Sequence, residues 1–407
     1  MNFIDSILRQ IFGISKSQRI FLEIILETIL AVPGKINFKN LSRFCKYSEK
    51  TISRNFRKPF SFIEMNKELI KKIAVKFNTL FLLAIDCSFV SKSGKKTYGL
   101  GRFFNGSKSR AEKGLEIFMT SMVSPVLNTA FALRAYQTIP DIGANTKKTD
   151  KHRNNDTRID YYLECLAHTA NVIKSMVRYC VADGYFAKSK FVDGVRNIGL
   201  HFICKLRNDA NLKFLYNGKQ KGRGRKKHYA GKVVFDDLRK FKLVKKMDNN
   251  TSIYTAIVYN VNLKCKIRIA LLTYSHNNKR EHIILFSTDL ELSADKIYEY
   301  YKSRFQIEFV FRDAKQHTGL CDCQSPKKES LDFHFNASLT ALNVAKIEAL
   351  ENHSIDEKFI FSMASVKRRA YNENLLKFIF ANSDFDLSLI KFQTLFKVFR
   401  NYGTIVA

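Results

Sequence analysis

The sequence predicts a mixed fold of the α/β (α+β mixed) class, and three observations predict it. Between about residues 76 and 206, short apolar runs alternate with longer stretches at helical spacing. A helical segment rich in Lys and Arg precedes them. A series of strand-like runs with little helix then interrupts the alternation. The chain has 407 residues, too many for one ordinary domain, so roughly two to four structural units are expected.

Lys+Arg number 69 against 37 Asp+Glu, a net charge of +32. Such an excess points to a polyanionic partner, nucleic acid first and an anionic membrane second. The membrane is the weaker choice, because no apolar run approaches the roughly 18 residues needed to span a bilayer. The longest, over 21–32, is broken by Glu23 and Glu27. Asp5 and Arg9 interrupt the first apolar pattern, which speaks against a signal peptide. Eight cysteines are scattered through the chain, several in strand-like runs (Cys180, Cys204, Cys265), and read as free thiols in a reducing cytosol. Cys321 and Cys323, with His317 upstream, form the one cluster, and a fourth zinc ligand is not evident.

Residues 1–75 read as helical and basic. A helix over 20–30 is closed by Pro33 and Gly34, a short helix covers 41–45, a turn follows, and a second short helix covers 49–57 with Ser48 as its N-cap. Two short helices and a tight turn suggest a helix-turn-helix. Ile52 and Phe56 would face inward, leaving Lys50, Thr51, Ser53, Arg54 and Arg57 to meet a groove or phosphates. A small basic bundle that reads no bases fits the same pattern.

Strands are expected over 80–85, 98–104 and 116–126, and a polar, cation-rich loop over 140–158, mobile or ordered by a ligand. A helix over 160–178, a strand over 179–182, a helix over 187–198 and a strand over 201–206 follow. Three antiparallel-type strands, then helix, strand, helix, strand is the order of the RNase H-like fold. Asp86 and Asp183 each end an apolar run. One such Asp is ordinarily a turn or cap residue. Two of them on neighbouring strands, with a carboxylate-bearing helix crossing their ends, can converge.

Further strands over 232–235, 253–259, 264–274 and 282–287 are inserted before that helix. The run 219–228 holds Arg223, Arg225 and Lys226 in a glycine-spaced basic loop suited to phosphate contact. Ser293 caps the next helix, a long helix spans 331–350, and 355–400 is helical and basic.

The stretch 301–315 has no Pro or Gly and reads as one helix. At about 100° per residue, Tyr301, Arg304, Glu308 and Lys315 share an arc of about 60°, with Arg312 close beside them. Ile307, Val310 and Phe311 lie on the core side, while Lys302, Gln306 and Asp313 face outward. Three carboxylates, Asp86, Asp183 and Glu308, with no His or Cys among them select a hard cation, Mg2+ or Mn2+. Two such ions about 4 Å apart activate a water or a 3′-hydroxyl and stabilise the leaving oxygen. Nothing in the chain matches Gly-x-Ser-x-Gly, His-Glu-x-x-His or a P-loop.

The spacing of Tyr301, Arg304, Glu308 and Lys315 resembles the Tyr-Arg-Glu-Lys signature of bacterial insertion-sequence transposases of the DDE type, and all four residues match in register. The resemblance runs from about residue 40 to 345. It implies an RNase H-like core in two parts (76–206 and 291–350), an inserted all-β domain (207–290), a helical N-terminal DNA-binding region (1–75) and a C-terminal helical region (351–407). It implies that Asp86 bridges two metal ions, that Asp183 and Glu308 hold one each, and that Tyr301, Arg304 and Lys315 grip phosphates near the cleaved end. It implies cut-and-paste transposition: terminal inverted repeats are bound and cut, and the 3′ ends are joined to target DNA. The cutting complex would be a homodimer on double-stranded DNA, in a bacterial cytoplasm at the nucleoid.

One departure matters. Relatives stack a flipped base on a Trp in the β insertion and pass through a DNA hairpin, and this chain has no Trp. Tyr254 or Tyr259 could stack a base instead, and the sequence leaves the hairpin step open. Two other functions stand beside the transposase: an RNase H-like nuclease without strand transfer, and an inactive DNA-binding regulator.

Overall fold

The computed structural model describes residues 2–140, 157–247, 250–276, 279–354, 359–382 and 390–405. Five helices open the chain: α1 (Asn2–Leu8), α2 (Lys16–Ala31), α3 (Phe38–Leu41), α4 (Glu49–Asn55) and α5 (Phe62–Phe77). Ser15 and Ser48 start α2 and α4, their hydroxyls accepting from the Gln18 and Thr51 amides. The short helix expected over 41–45 lies earlier, as α3, because Asn37 accepts from the Asn40 amide and caps it there. Ile52 and Phe56 do face inward, and the Phe56 ring lies 4.4 Å from that of Phe333.

The core follows as β1 (Phe81–Ser91), β2 (Gly101–Asn105), β3 (Arg110–Ser124), β4 (Thr129–Thr138), α6 (Arg158–Ile173), β5 (Val177–Val181), α7 (Ser189–Asn197) and β6 (His201–Leu206). β3 pairs antiparallel with β1 on one side and β4 on the other, while β5 and β6 run parallel to β1. The order β4-β3-β1-β5-β6 is RNase H-like.

Three sequence expectations need correction. The third antiparallel strand is β4, which was not expected, because Ala130, Ala132 and Ala135 weaken its strand signal. The run expected over 98–104 shortens to β2, a small strand paired with the outer end of β3. Asp86 lies within β1 rather than after it, because β3 is long enough to pair with β1 as far as Ser91. The polar loop expected over 140–158 lies mostly outside the described residues.

The insertion contributes β7 (Leu212–Leu215), β8 (Tyr229–Lys232), β9 (Lys242–Lys246), β10 (Thr251–Asn260), β11 (Cys265–His276) and β12 (Lys279–Ser287). β12 pairs antiparallel with β6, so these strands prolong the core sheet, which stays open. Helices α8 (Ala294–Ser303), α9 (Gln306–His317), α10 (Lys328–Glu351), α11 (Met363–Ala381) and α12 (Ile390–Arg400) complete the chain. Among the described residues, no helix is long and apolar enough to cross a membrane. The eight cysteines are free thiols.

Helix α10 is buried on nearly every side from Ser330 to Ile347, packed between α5, α2, α9 and β4. Its polar residues explain how a strand with an open edge can sit in the interior. Asn336 accepts from the Ala135 amide at 2.9 Å and donates to the Ala135 carbonyl at 3.1 Å. Asn343, two helical turns on, does the same for Ala132 at 3.0 and 2.7 Å, and Lys346 donates to the Ala130 carbonyl at 3.0 Å. Side chains thus supply the ladder that a further strand would have supplied. Asn343 also donates to Asn66. Asn343→Ala would strip partners from both backbone groups of Ala132 and from Asn66. At about 1–3 kcal/mol for a buried group left unpaired, a loss of order 3 kcal/mol is expected in urea unfolding. A loss below about 1 kcal/mol would mean that water replaces the amide.

Candidate active site

The register of two parallel strands builds the centre of the site. Leu83 of β1 pairs with Cys180 of β5, and Ala84 with Val181. Asp86 and Asp183 therefore stand the same number of residues beyond a matched pair, on strands about 4.8 Å apart. Both line one cavity of about 500 Å³, as does Lys315. The place is the crevice outside the carboxyl ends of parallel strands, where open sheets of this kind bind ligands. Asp86 accepts from the Cys87 amide at 2.8 Å. Asp183 caps the short turn Gly184–Phe186 by accepting from the Tyr185 amide at 3.1 Å.

Glu308 arrives on a helix that spans the sheet. α8 packs on β6, β10, β11 and β12, and α9 on β1, β3 and β4. Asp289 fixes the entry, accepting from Tyr179 of β5 at 2.8 Å and from Arg178 at 3.1 Å. At the far side the Lys315 ammonium donates to the Phe89 carbonyl of β1 at 2.9 Å.

The single helix expected over 301–315 is two helices. Around Arg304 and Phe305 the backbone tightens, and the amides of Arg304, Phe305, Ile307 and Glu308 bond three residues back instead of four. This tightening alters the angular argument for Tyr301 and Glu308 but still leaves Arg304 and Glu308 in contact. The Arg304 guanidinium donates to the Glu308 carboxylate at 3.2 Å and lies 5.7 Å from the Tyr301 ring centre. Ile307, Val310 and Phe311 are buried as expected. Asp313 is buried rather than outward, on a helix packed against α10 and the sheet, and Arg312 binds it through two nitrogens at 2.9 and 3.0 Å. Arg312 itself is exposed, over the Phe309 ring.

Electrostatics tie the three carboxylates together. Burial pushes the Asp86 carboxyl up to about 7; Asp183 and Glu308 add to the rise, and Arg304 and the Cys87 amide oppose it. Arg304 in turn is held charged by Tyr301, Asp86, Glu308 and Asp183 against its burial. Burial lowers the affinity of Lys315 for its proton. The donor chemistry, three carboxylate groups, suits a hard divalent cation. As the side chains stand, however, no three acidic, His or Cys groups among the described residues lie close enough to hold one ion.

The other basic candidates lie on separate elements. Lys50, Arg54 and Arg57 are exposed on and just after α4. Arg223, Arg225 and Lys226 are exposed in the loop between β7 and β8, with no carboxylate partner among the described residues. Tyr259 is stacked obliquely with Tyr229 at 5.1 Å, and Tyr254 is half-buried.

Sequence reasoning missed Glu116 of β3, which lines the cavity with Asp86 and Asp183 and accepts from Tyr162 of α6 at 2.7 Å. An acidic residue inside the apolar run Leu115–Phe118 was the available signal, since carboxylates are seldom buried without a partner. Arg158 and Tyr185 line the same cavity.

The fold is an RNase H-like sheet that sets two acidic side chains side by side on neighbouring parallel strands. The family model of the DDE superfamily endonucleases matches residues 9–259, and the chain belongs to that family. The match ends within the inserted strands, before Glu308. No curated protein matches the chain. Membership makes the protein an endonuclease of the metal-dependent kind, with DNA as its substrate.

The raised Asp86 carboxyl has a consequence for stability. A group whose folded value is above its ordinary one favours the fold while protonated, and that contribution is lost as pH rises through the folded value. Without metal, Asp86→Asn should therefore be more stable than wild type at pH 8, by of order 1–3 kcal/mol. The gap should close towards pH 4 in thermal denaturation. A gap that does not change with pH would place the carboxyl's titration near its ordinary value.

Proposed function

We propose that this endonuclease is a DNA transposase of the insertion-sequence type. It binds terminal inverted repeats, cuts the element ends by phosphodiester hydrolysis and joins the 3′ ends to target DNA by transesterification. The observation that carries the reading is that Asp86 and Asp183 stand beyond two matched pairs of neighbouring parallel strands and line one cavity, while Glu308 is bonded to Arg304, whose charge acts on both aspartates. The signature spacing of Tyr301, Arg304, Glu308 and Lys315 supports the transposase over other enzymes of the family.

In this reading Asp86, Asp183 and Glu308 hold Mg2+ or Mn2+, two ions in all. When bound, the metal supplies charge for the attacking and leaving oxygens. Tyr301, Arg304 and Lys315 bind phosphates beside the cleaved bond, with Arg312 further out. Lys50, Arg54 and Arg57 contact the repeats, and Arg223, Arg225 and Lys226 track the backbone. Two copies act on paired ends. Tyr259 or Tyr254 offers an aromatic face to a base.

Asp86→Ala and Glu308→Ala should each abolish Mn2+-supported cleavage of element ends while end binding falls less than about threefold, within ordinary surface effects. Cleavage retained in either variant would take that residue out of the site. A strand-transfer assay on precut ends then decides between transposase and simple nuclease: joined products are expected, and their absence with intact cleavage leaves the nuclease. Binding should also weaken steeply with salt. For roughly 6–10 phosphate contacts the affinity falls by about 10³–10⁵ between roughly 50 and 200 mM salt. A flat response would contradict contact by the exposed basic residues.

A further inference from the structure

Of the three carboxylates that the reading above gives to metal binding, one is bonded to a cation of the protein's own, and the other two feel its charge. The Arg304 guanidinium is bonded to Glu308, and its charge acts on Asp86 and Asp183 as well. Its side chain is largely buried, at 13 % exposure. A divalent ion and this guanidinium would compete for the same negative charge at close range, where screening by water is weak. That competition accounts for two facts at once: the donors are chemically right for a metal, yet no three of them are within reach of one ion.

We propose that Arg304 is a latch on the metal site, released by a DNA phosphate, so that DNA and divalent cation bind cooperatively. Two further observations support it. The buried Nε of Arg304 has no hydrogen-bond partner among the described residues. That nitrogen is left over from the contacts with Glu308 and Tyr301, whereas a phosphate accepts two parallel N–H bonds from a guanidinium. Arg304 also sits where the backbone tightens between α8 and α9, and Glu308 follows in the same tight stretch. Short segments of this kind often mark hinges. A phosphate that draws Arg304 outward leaves Glu308 free to turn towards Asp86 and Asp183. By thermodynamic reciprocity, bound metal then tightens DNA binding by the same factor.

The proposal rests on the assignment of the three carboxylates to metal, and the test separates the two. Mn2+ binding to the full chain is followed by loss of the free-ion electron paramagnetic resonance signal. Wild type, Arg304→Gln and Asp86→Ala are compared, each with and without a short blunt-ended duplex at low salt. Without DNA, Arg304→Gln should bind Mn2+ more tightly than wild type by about 5–150-fold, the usual range of coupling between two sites. DNA should tighten Mn2+ binding by wild type and leave Arg304→Gln unchanged. Equal Mn2+ affinity in the two proteins without DNA, or an equal effect of DNA on both, overturns the latch. If Arg304→Gln does not fold, wild type alone decides: a duplex that binds but leaves Mn2+ affinity unchanged overturns it. Mn2+ binding by Asp86→Ala as tight as by wild type overturns the metal assignment instead.

Discussion

The parallel pairing of β1 with β5 is the constraint on which the rest of the molecule depends. It is short, only Phe81 to Ala84 on one strand and Val177 to Val181 on the other. Yet it decides that two acidic residues far apart in the chain emerge side by side. Parallel strands need both faces covered, and the chain spends much of its length on that. Helix α6 packs on β3 and β4, and α9, α5 and α10 also pack on the core sheet. The apolar strands hold the backbone rigid up to the point where the carboxylates leave it.

The third carboxylate depends on a different device. A helix that crosses a wide sheet must follow its twist, and this one is divided near Arg304 into α8 on the inserted strands and α9 on the core. Asp289 at one end and Lys315 at the other tie the two parts to β5 and β1. The position of Glu308 is thus set by anchors on both sides of the break. The insertion is then more than an appendage: by pairing through β12 to β6 it provides the surface on which α8 is seated.

The large positive charge is not all surface charge awaiting a polyanion. Lys76 donates to the carbonyls of Leu350, Glu351 and His353 at the end of α10, and Lys367 to those of Ile29 and Val32 at the end of α2. These are buried or half-buried cations at helix C-termini, where the dipole favours them. Lys346 serves the edge of β4 in the same spirit, and burial pushes it down to about 8. Among the described residues, exposed cations cluster in the β7–β8 loop, on β9 and around α4. These surfaces suit a long, charged ligand better than a small one.

Much of this was legible in the sequence because it is local. Apolar periodicity located β5, β6, α2 and α10 to within a few residues, and Ser48 marked the start of α4, whereas β1 runs on to Ser91 and α6 stops at Ile173. Asp86, Asp183 and the residues of the signature stood out as polar groups at the ends of apolar runs or at fixed helical spacing. What the sequence did not reveal depends on partners distant in the chain. Alanine-rich β4 pairs with β3, its neighbour in sequence, but its other edge is satisfied by the asparagines of α10, 201 and 211 residues further along the chain. The break at Arg304, the inward turn of Asp313 and the place of Glu116 follow from packing across the sheet. Chemistry and spacing along one element could be read from residue types alone, whereas the meeting of charges from different elements was decided by tertiary contacts that no local window contains.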